Sequence, residues 1–320
     1  MHAGLNMSST CRAMVVSFYD IGMRIAVVML ILVACSRPEV GPATGSETES
    51  APGAATAPGA ATAPGQPGGA GLPHRVLPTA EAALRSIMQP EHGAAPRVIG
   101  IGEHHQTQRT EAVRSALSRF AGELLPVLAG HVTDLVIESW AEPAGCDAEA
   151  VEASAQVSRD IERPPATENE LVTLIERART LRIRPHLLAF GCADYRALRG
   201  PDDRVDYEAL LGAVTTRLRD RALAGLAHEG AVIALYGGAL HNDLHPNPGV
   251  ADFSYAAAVD EAAQGRYVEI DLLVPEYVTG NAALAREPWY ALLDRAGPDH
   301  VVLIERAPRS YVLLLPRSTP

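Results

Sequence analysis

From about residue 76 onward, short apolar runs alternate with segments of helical periodicity. Arg97 to Gly102 reads as a buried strand. Val113, Leu117, Phe120 and Leu124 follow at helical spacing, with Pro126 near the end. Asp134 to Glu138 is a second strand, and Thr167 with Glu170 forms the pattern of a capping box for a helix through Arg179. Pro185 to Phe190 gives a third strand and Tyr207 to Leu226 a long amphipathic helix. Ala231 to Tyr236 and Tyr267 to Leu273 are a fourth and a fifth strand. A helix over Ala282 to Leu293 precedes a terminal pair, Val301 to Ile304 and Tyr311 to Leu315, close enough in sequence to form a hairpin. Short apolar strands separated by helices predict an α/β fold: a mostly parallel central sheet flanked by helices, with the terminal hairpin antiparallel on its edge. Glu142 to Ala166 carries no clear period and reads as a lid or a helical insertion.

The first 75 residues follow other rules. Arg24 precedes an apolar run from Ile25 to Val33, the form of a secretory signal. The run is too short for a mature membrane helix, which needs about 20 residues. It ends in Leu32-Val33-Ala34-Cys35, which resembles the lipobox of bacterial lipoproteins. That resemblance implies a signal peptide over 1–34, a lipidated Cys35 as mature N-terminus and a place in the cell envelope. Ser36 stands where enteric lipoproteins retained at the inner membrane carry aspartate, so by resemblance the expected location is the outer membrane. Residues 35–75 read as a disordered linker: Pro52-Gly-Ala-Ala-Thr-Ala recurs from Pro58, and no large apolar side chain follows until Leu72. About 40 such residues reach ~35 Å. The remaining stretch, 76–320, suits one domain.

Charge narrows the partners. The whole chain has 27 basic and 38 acidic side chains. Without Arg12, Arg24 and Asp20, which would leave with the leader, 25 basic face 37 acidic, a formal −12. An acidic surface argues against nucleic acid and against electrostatic membrane binding, so any membrane link comes from the lipid. The expected partner is a small-molecule or peptide substrate. Beyond Cys11 and Cys35, Cys146 and Cys192 remain; in an oxidising compartment they either pair or stay as two separate thiols.

Ligands of parallel sheets bind beyond the carboxyl ends of the strands. The first strand exits as Gly102-Glu103-His104-His105, the second as Glu138-Ser139-Trp140, the third as Gly191-Cys192-Ala193-Asp194-Tyr195 and the fourth as Gly237-Gly238-Ala239-Leu240-His241. Carboxylates and imidazoles therefore converge on one rim. Glu103 and His105, two apart, leave extended backbone on one side, and a carboxylate beside an imidazole suits a general base. Each of these groups also has a purely structural role open to it. Glu103 could favour a helix dipole, His104 could be an exposed loop residue, Glu138 could pair with an arginine, and His241 could cap a turn. Asp194 suits a cap, His186 a satisfied core histidine, and His245 a loop position beside Pro246. Arg109 or Arg114 could stabilise an oxyanion or pair with a glutamate.

The Gly102-Glu103-His104-His105 exit, the Glu138 exit and the Gly237-Gly238-x-x-His241 exit together resemble the superfamily of ChaN-like haem-uptake lipoproteins, Tiki/TraB proteases and erythromycin esterases. The E-x-H spacing is closer to the ChaN and Tiki branches than to the esterases. The resemblance implies a base at His105, with Glu103, Glu138 and His241 supporting it or, with His105, ligating Zn, Mn or Co. The expected activity is hydrolysis of an ester or amide. No G-x-S-x-G elbow occurs in the sequence, which argues against a serine hydrolase. The alternative is a binding lipoprotein that holds haem, with His104, Tyr195 or His241 as axial ligand.

Overall fold

The computed structural model describes residues 71–89, 94–141, 164–200 and 204–318, with scattered positions between 146 and 156. The leader, Cys35, nearly all of the linker and most of the suspected lid lie outside the described residues. Among the described residues an eight-stranded sheet runs in the order β1-β7-β8-β6-β2-β5-β3-β4. Its strands are β1 His74–Leu77, β2 Val98–Glu103, β3 Asp134–Ala141, β4 Arg184–Ala189, β5 Ile233–Gly238, β6 Tyr267–Leu273, β7 Val301–Ala307 and β8 Ser310–Leu314. Pairings β2–β5, β2–β6, β3–β4, β3–β5 and β6–β8 are parallel; β1–β7 and β7–β8 are antiparallel. The fold is α/β with a mostly parallel sheet, as the alternating pattern predicts.

The helices between the strands cover the sheet. α1 spans Ala80–Met88, capped by the Thr79 side chain. α2 is a composite run: Ala116–Arg119, a π turn at Phe120–Leu124, then Leu125–Leu128. α3 spans Ala166–Thr180, α4 Cys192–Ala197, α5 Tyr207–Leu226 and α6 Ala256–Ala262. Every residue of β2, β5 and β6 is buried, the expectation for strands with helices on both faces. The main core gathers Val98, Ile99, Leu117, Leu125, Leu174, Leu210, Ile233 and Tyr267. A smaller one, under Trp289 and Leu292, covers Val302, Ile304, Val312 and Leu314.

Three local expectations need correction. The C-terminal hairpin forms, but β1 pairs outside β7, so β1 is the edge on that side. β1 escapes the pattern because it is four residues long and its middle pair is exposed. The Thr167–Glu170 capping box is not made: α3 starts after Pro165 without a side-chain cap, and the Glu170 carboxylate accepts from Ser115 Oγ at 2.6 Å instead. The expected helix over 282–293 is two 3₁₀ segments, Leu284–Arg286 and Pro288–Arg295. Pro288 has no N–H to continue a helix through that point and opens the second segment.

Candidate functional site

The cavity at the carboxyl rim has a volume of about 300 Å³. Glu103, His104, His105, His241, Asp271 and Arg306 are among its lining residues. The strand exits are responsible. β2 lies between β5 and β6 in parallel register, with Glu103 opposite Gly238 and Leu272, so three chain segments leave the sheet at one level. His105 and His241, far apart in sequence, thus reach the same space.

The Glu103 carboxylate is almost fully buried and both oxygens are engaged. Oε1 lies 2.7 Å from His105 Nδ1, and Oε2 accepts from the Tyr236 hydroxyl. A carboxylate oxygen opposite a ring nitrogen requires a proton on that nitrogen, so neutral His105 carries its lone pair on Nε2. Tyr236 is itself fixed by Phe120, whose ring stacks on it at 4.4 Å. The chain from Phe120 through Tyr236 and Glu103 to His105 therefore sets both the position and the tautomer of the imidazole. Glu103 is not a helix-dipole carboxylate: the next helical turn begins only at Gln108.

Strand alternation sends Glu138 to the opposite face of the sheet. Its Oε2 accepts from Gly238 N at 2.6 Å. Gly237 is required here, because a Cβ would lie 2.9 Å from Glu138 Cβ. Glu138 Oε1 is 3.8 Å from His241 Nε2. His241 Nδ1 lies 2.8 Å from Thr215 Oγ1 and 3.0 Å from the Phe253 carbonyl. A carbonyl only accepts, so Nδ1 of His241 is protonated and Nε2 is the nitrogen turned toward Glu138.

The same face carries charged groups that sequence reading passed over. Asp271, on β6, aligns with Gly102, and Glu269 with Gly100. Asn242 and Asp271 occupy the space over Gly102, where a Cβ would sit 2.6 Å from Ala239 Cα and 2.7 Å from Asp271 Oδ1. Asn242 Nδ2 donates to Asp271 Oδ1 at 3.1 Å. Glu269 accepts from Leu244 N at 2.8 Å and from the Arg306 guanidinium, which also donates to Asp243 at 2.7 Å. Burial, and for Glu269 the neighbouring Asp271 charge, raises both acids above the usual carboxylate range, to about 9 for Glu269 and about 6 for Asp271. Burial also raises Glu287 on the cavity wall.

The other expected site residues lie elsewhere. Arg114 is half exposed and pairs with Glu123, outside the cavity lining, so it does not serve a charge there. Tyr195 is buried in α4 against Phe190, at 5.9 Å between ring centres, and does not line the cavity either. His104 does line it. Asp194 is a cap: its carboxylate accepts from Gly191 N at 2.7 Å and pairs with Arg217. His186 is bound to Asp134 at 2.6 Å and to Arg221, a satisfied position but one at the amino end of the sheet and only half buried. His245 is exposed.

Glu103 and Glu138 leave opposite faces, and three of their four oxygens already accept hydrogen bonds. Among the described residues no group of three or more His, Cys, Asp or Glu side chains is placed to hold a metal ion. The arrangement does suit proton transfer. Cys146 and Cys192 are joined by a disulfide with a Cα separation of 5.2 Å. No family model matches the chain, and no curated protein or solved structure matches it significantly.

Proposed function

We propose that the chain is an extracytoplasmic, lipid-anchored hydrolase of ester or amide bonds that uses His105 as general base. The observation that carries this reading is the buried Glu103–His105 pair on the lining of the rim cavity. The resemblance of the three strand exits to the ChaN, Tiki and erythromycin-esterase superfamily supports it, and the Cys146–Cys192 disulfide suits an oxidising compartment.

In the reaction a water beside His105 Nε2 gives up a proton as its oxygen attacks the substrate carbonyl. Glu103, holding Nδ1–H, keeps the ring aimed and stabilises the imidazolium that forms. Among the described lining residues Arg306 carries the one guanidinium, which offers a donor for the developing oxyanion beside its pairing with Asp243 and Glu269. Cavities near 300 Å³ fit small ligands rather than folded chains, so the substrate is a small molecule or the end of a peptide.

The test is purified protein against a panel of chromogenic esters and anilides. Wild type turns over at least one; His105→Ala drops that rate by about 10²–10⁴-fold with an unchanged circular dichroism spectrum. Equal rates in the two proteins reject the reading. A second reading, haem capture, keeps one observation in its favour: His104 and His241 both line the cavity. A Soret band on haemin titration that disappears in His104→Ala or His241→Ala supports it; its absence in wild type rejects it.

A further inference from the structure

The lining of the rim cavity is unevenly charged. Asp243, Asp271 and Glu287 lie on it besides Glu103, whereas Arg306 brings the guanidinium. Glu103 is already engaged by His105 and Tyr236. Glu269, fully buried, keeps its proton at neutral pH, because burial and the neighbouring Asp271 charge raise it to about 9. Asp271 is raised only to about 6, chiefly by burial, so it is the ionised member of the pair and accepts from Glu269. One Arg306 nitrogen donates to both Glu269 and Asp243, the latter at 2.7 Å. With Glu269 neutral, Asp243 offsets that cation. Asp271 and Glu287 then have no ion-pair partner among the described residues. Asp271 is held by neutral donors, Glu269 and Asn242 Nδ2. The Glu287 carboxylate makes no hydrogen bond; burial raises it, while Arg306 and Asp243 act on it at a distance with opposite signs. Asn242 adds an independent sign. It is 1% exposed, its Nδ2 is committed to Asp271, and its Oδ1 meets no donor among the described residues. That oxygen and Asp271 Oδ1 both lie within 2.7 Å of the point a Gly102 Cβ would occupy, so the bare amide oxygen sits beside the cavity-lining carboxylate. This wall is rich in acceptors and poor in donors, and desolvated groups left so are costly.

We propose that the cavity selects cationic substrates, esters or amides that carry a primary ammonium or a guanidinium bound against Asp271 and Glu287. The acids do not create the site, which is the cavity already occupied by the Glu103–His105 pair; they set the charge of what enters it. The inference rests on the hydrolase reading for its chemistry, whereas the charge preference is a property of binding alone. An ammonium or a guanidinium offers donors and no acceptor, the complement of this wall. A neutral chain of the same shape leaves the two carboxylates unmatched, and an anionic one meets like charge. Arg306, offset by Asp243, does not oppose a cation there. The chain as a whole, formally −11, draws the same ligands toward it.

Two measurements on the full chain test this. The first needs no turnover: ligand-observed NMR titration with pentylammonium, pentanol and pentanoate, similar in length and different in charge. Pentylammonium should bind about tenfold tighter than pentanol or better, and pentanoate weakest. Asp271→Asn and Glu287→Gln should each narrow that gap. Glu287 is half-buried on the wall, so its variant decides the matter if Asp271→Asn does not fold. Pentanol or pentanoate binding as well as pentylammonium, or a gap unchanged in Glu287→Gln, overturns the proposal. The second measurement compares kcat/KM for the p-nitrophenyl esters of 6-aminohexanoate and hexanoate. Wild type should favour the ammonium ester by a similar factor, and the ratio should fall toward one in Glu287→Gln; a ratio within one protein is insensitive to how much of it is folded. Equal kcat/KM for the two esters in wild type overturns charge selection and leaves the hydrolase reading standing. Selective binding of pentylammonium with neither ester cleaved has the reverse meaning: the hydrolase reading fails and the cation preference holds.

Discussion

Nδ1 of His105 lies 2.7 Å from Oε1 of Glu103, across the two-residue step that leaves the end of β2. Neither group is placed by the other alone. Tyr236 on β5 holds the second Glu103 oxygen, so a pair that looks local in sequence is fixed by a neighbouring strand. Removing either support should therefore damage turnover without touching the base.

Glu103→Gln keeps the shape but offers only one acceptor oxygen to two donors, His105 Nδ1 and the Tyr236 hydroxyl. We expect kcat to fall about 10- to 100-fold with little change in KM, since Glu103 acts through the imidazole. Tyr236→Phe removes one hydrogen bond from the same carboxylate and leaves the other. Its kcat should fall less, and its unfolding free energy should drop by about 1 kcal/mol. Steady-state kinetics with a urea melt checks both; a Tyr236→Phe loss larger than that of Glu103→Gln contradicts this order.

The Cys146–Cys192 bond closes a loop with a sequence separation of 46. Chain-entropy arguments assign such a crosslink about 4 kcal/mol, by restricting the unfolded chain. A thermal melt with and without reductant should show a lower midpoint after reduction, and Cys192→Ala should match the reduced wild type. Identical midpoints count against a bond that stabilises the fold.

Stability should also fall as pH rises from about 4 to about 9. Glu269 and Asp271 ionise near 4.5 and 3.8 in an unfolded chain but at about 9 and about 6 in the fold, because they are buried close together. The folded state thus binds extra protons across that window, and stability present below it is lost as the pair ionises. Asp134 and Asp194 act with the opposite sign: burial opposes their charge, but hydrogen bonds outweigh it and lower both, so their contribution is lost only on acidification. Denaturant midpoints measured across pH should decline through the window in wild type and flatten in Asp271→Asn; an unchanged decline in the variant assigns the effect to other groups.

Much of the fold was legible in the sequence because parallel strands buried on both faces announce themselves as apolar runs. Val98–Gly102 and Ile233–Tyr236 have no polar position to confuse the pattern. The histidines and glutamates that follow these runs could be placed on one rim from topology rules alone. The acids on β6 could not. Tyr267-Val-Glu-Ile-Asp-Leu-Leu alternates polar with apolar, the usual mark of a strand with one wet face, yet all seven residues are buried. The signal that could have found them is that a strand lying between β8 and β2 has no wet face, so its charges need a purpose. Arg306 was hidden in the same way, as a charged end of an edge-like strand that instead reaches back to Glu269. Arg114 shows the reverse error: helical position suggested reach toward the rim, but its side chain turns to Glu123.

The placement of β2 between β5 and β6 carries a consequence for how this protein could change. The strand that ends in Glu103 is hydrogen-bonded on both sides, so its amides should be among the slowest to exchange with deuterated solvent. The walls contributed by Asn247, Val250, Ala283 and Leu284 belong to connecting segments instead. Evolution or a designer seeking a new specificity would find latitude in those walls, while the proton-handling apparatus stayed anchored in the least yielding part of the molecule.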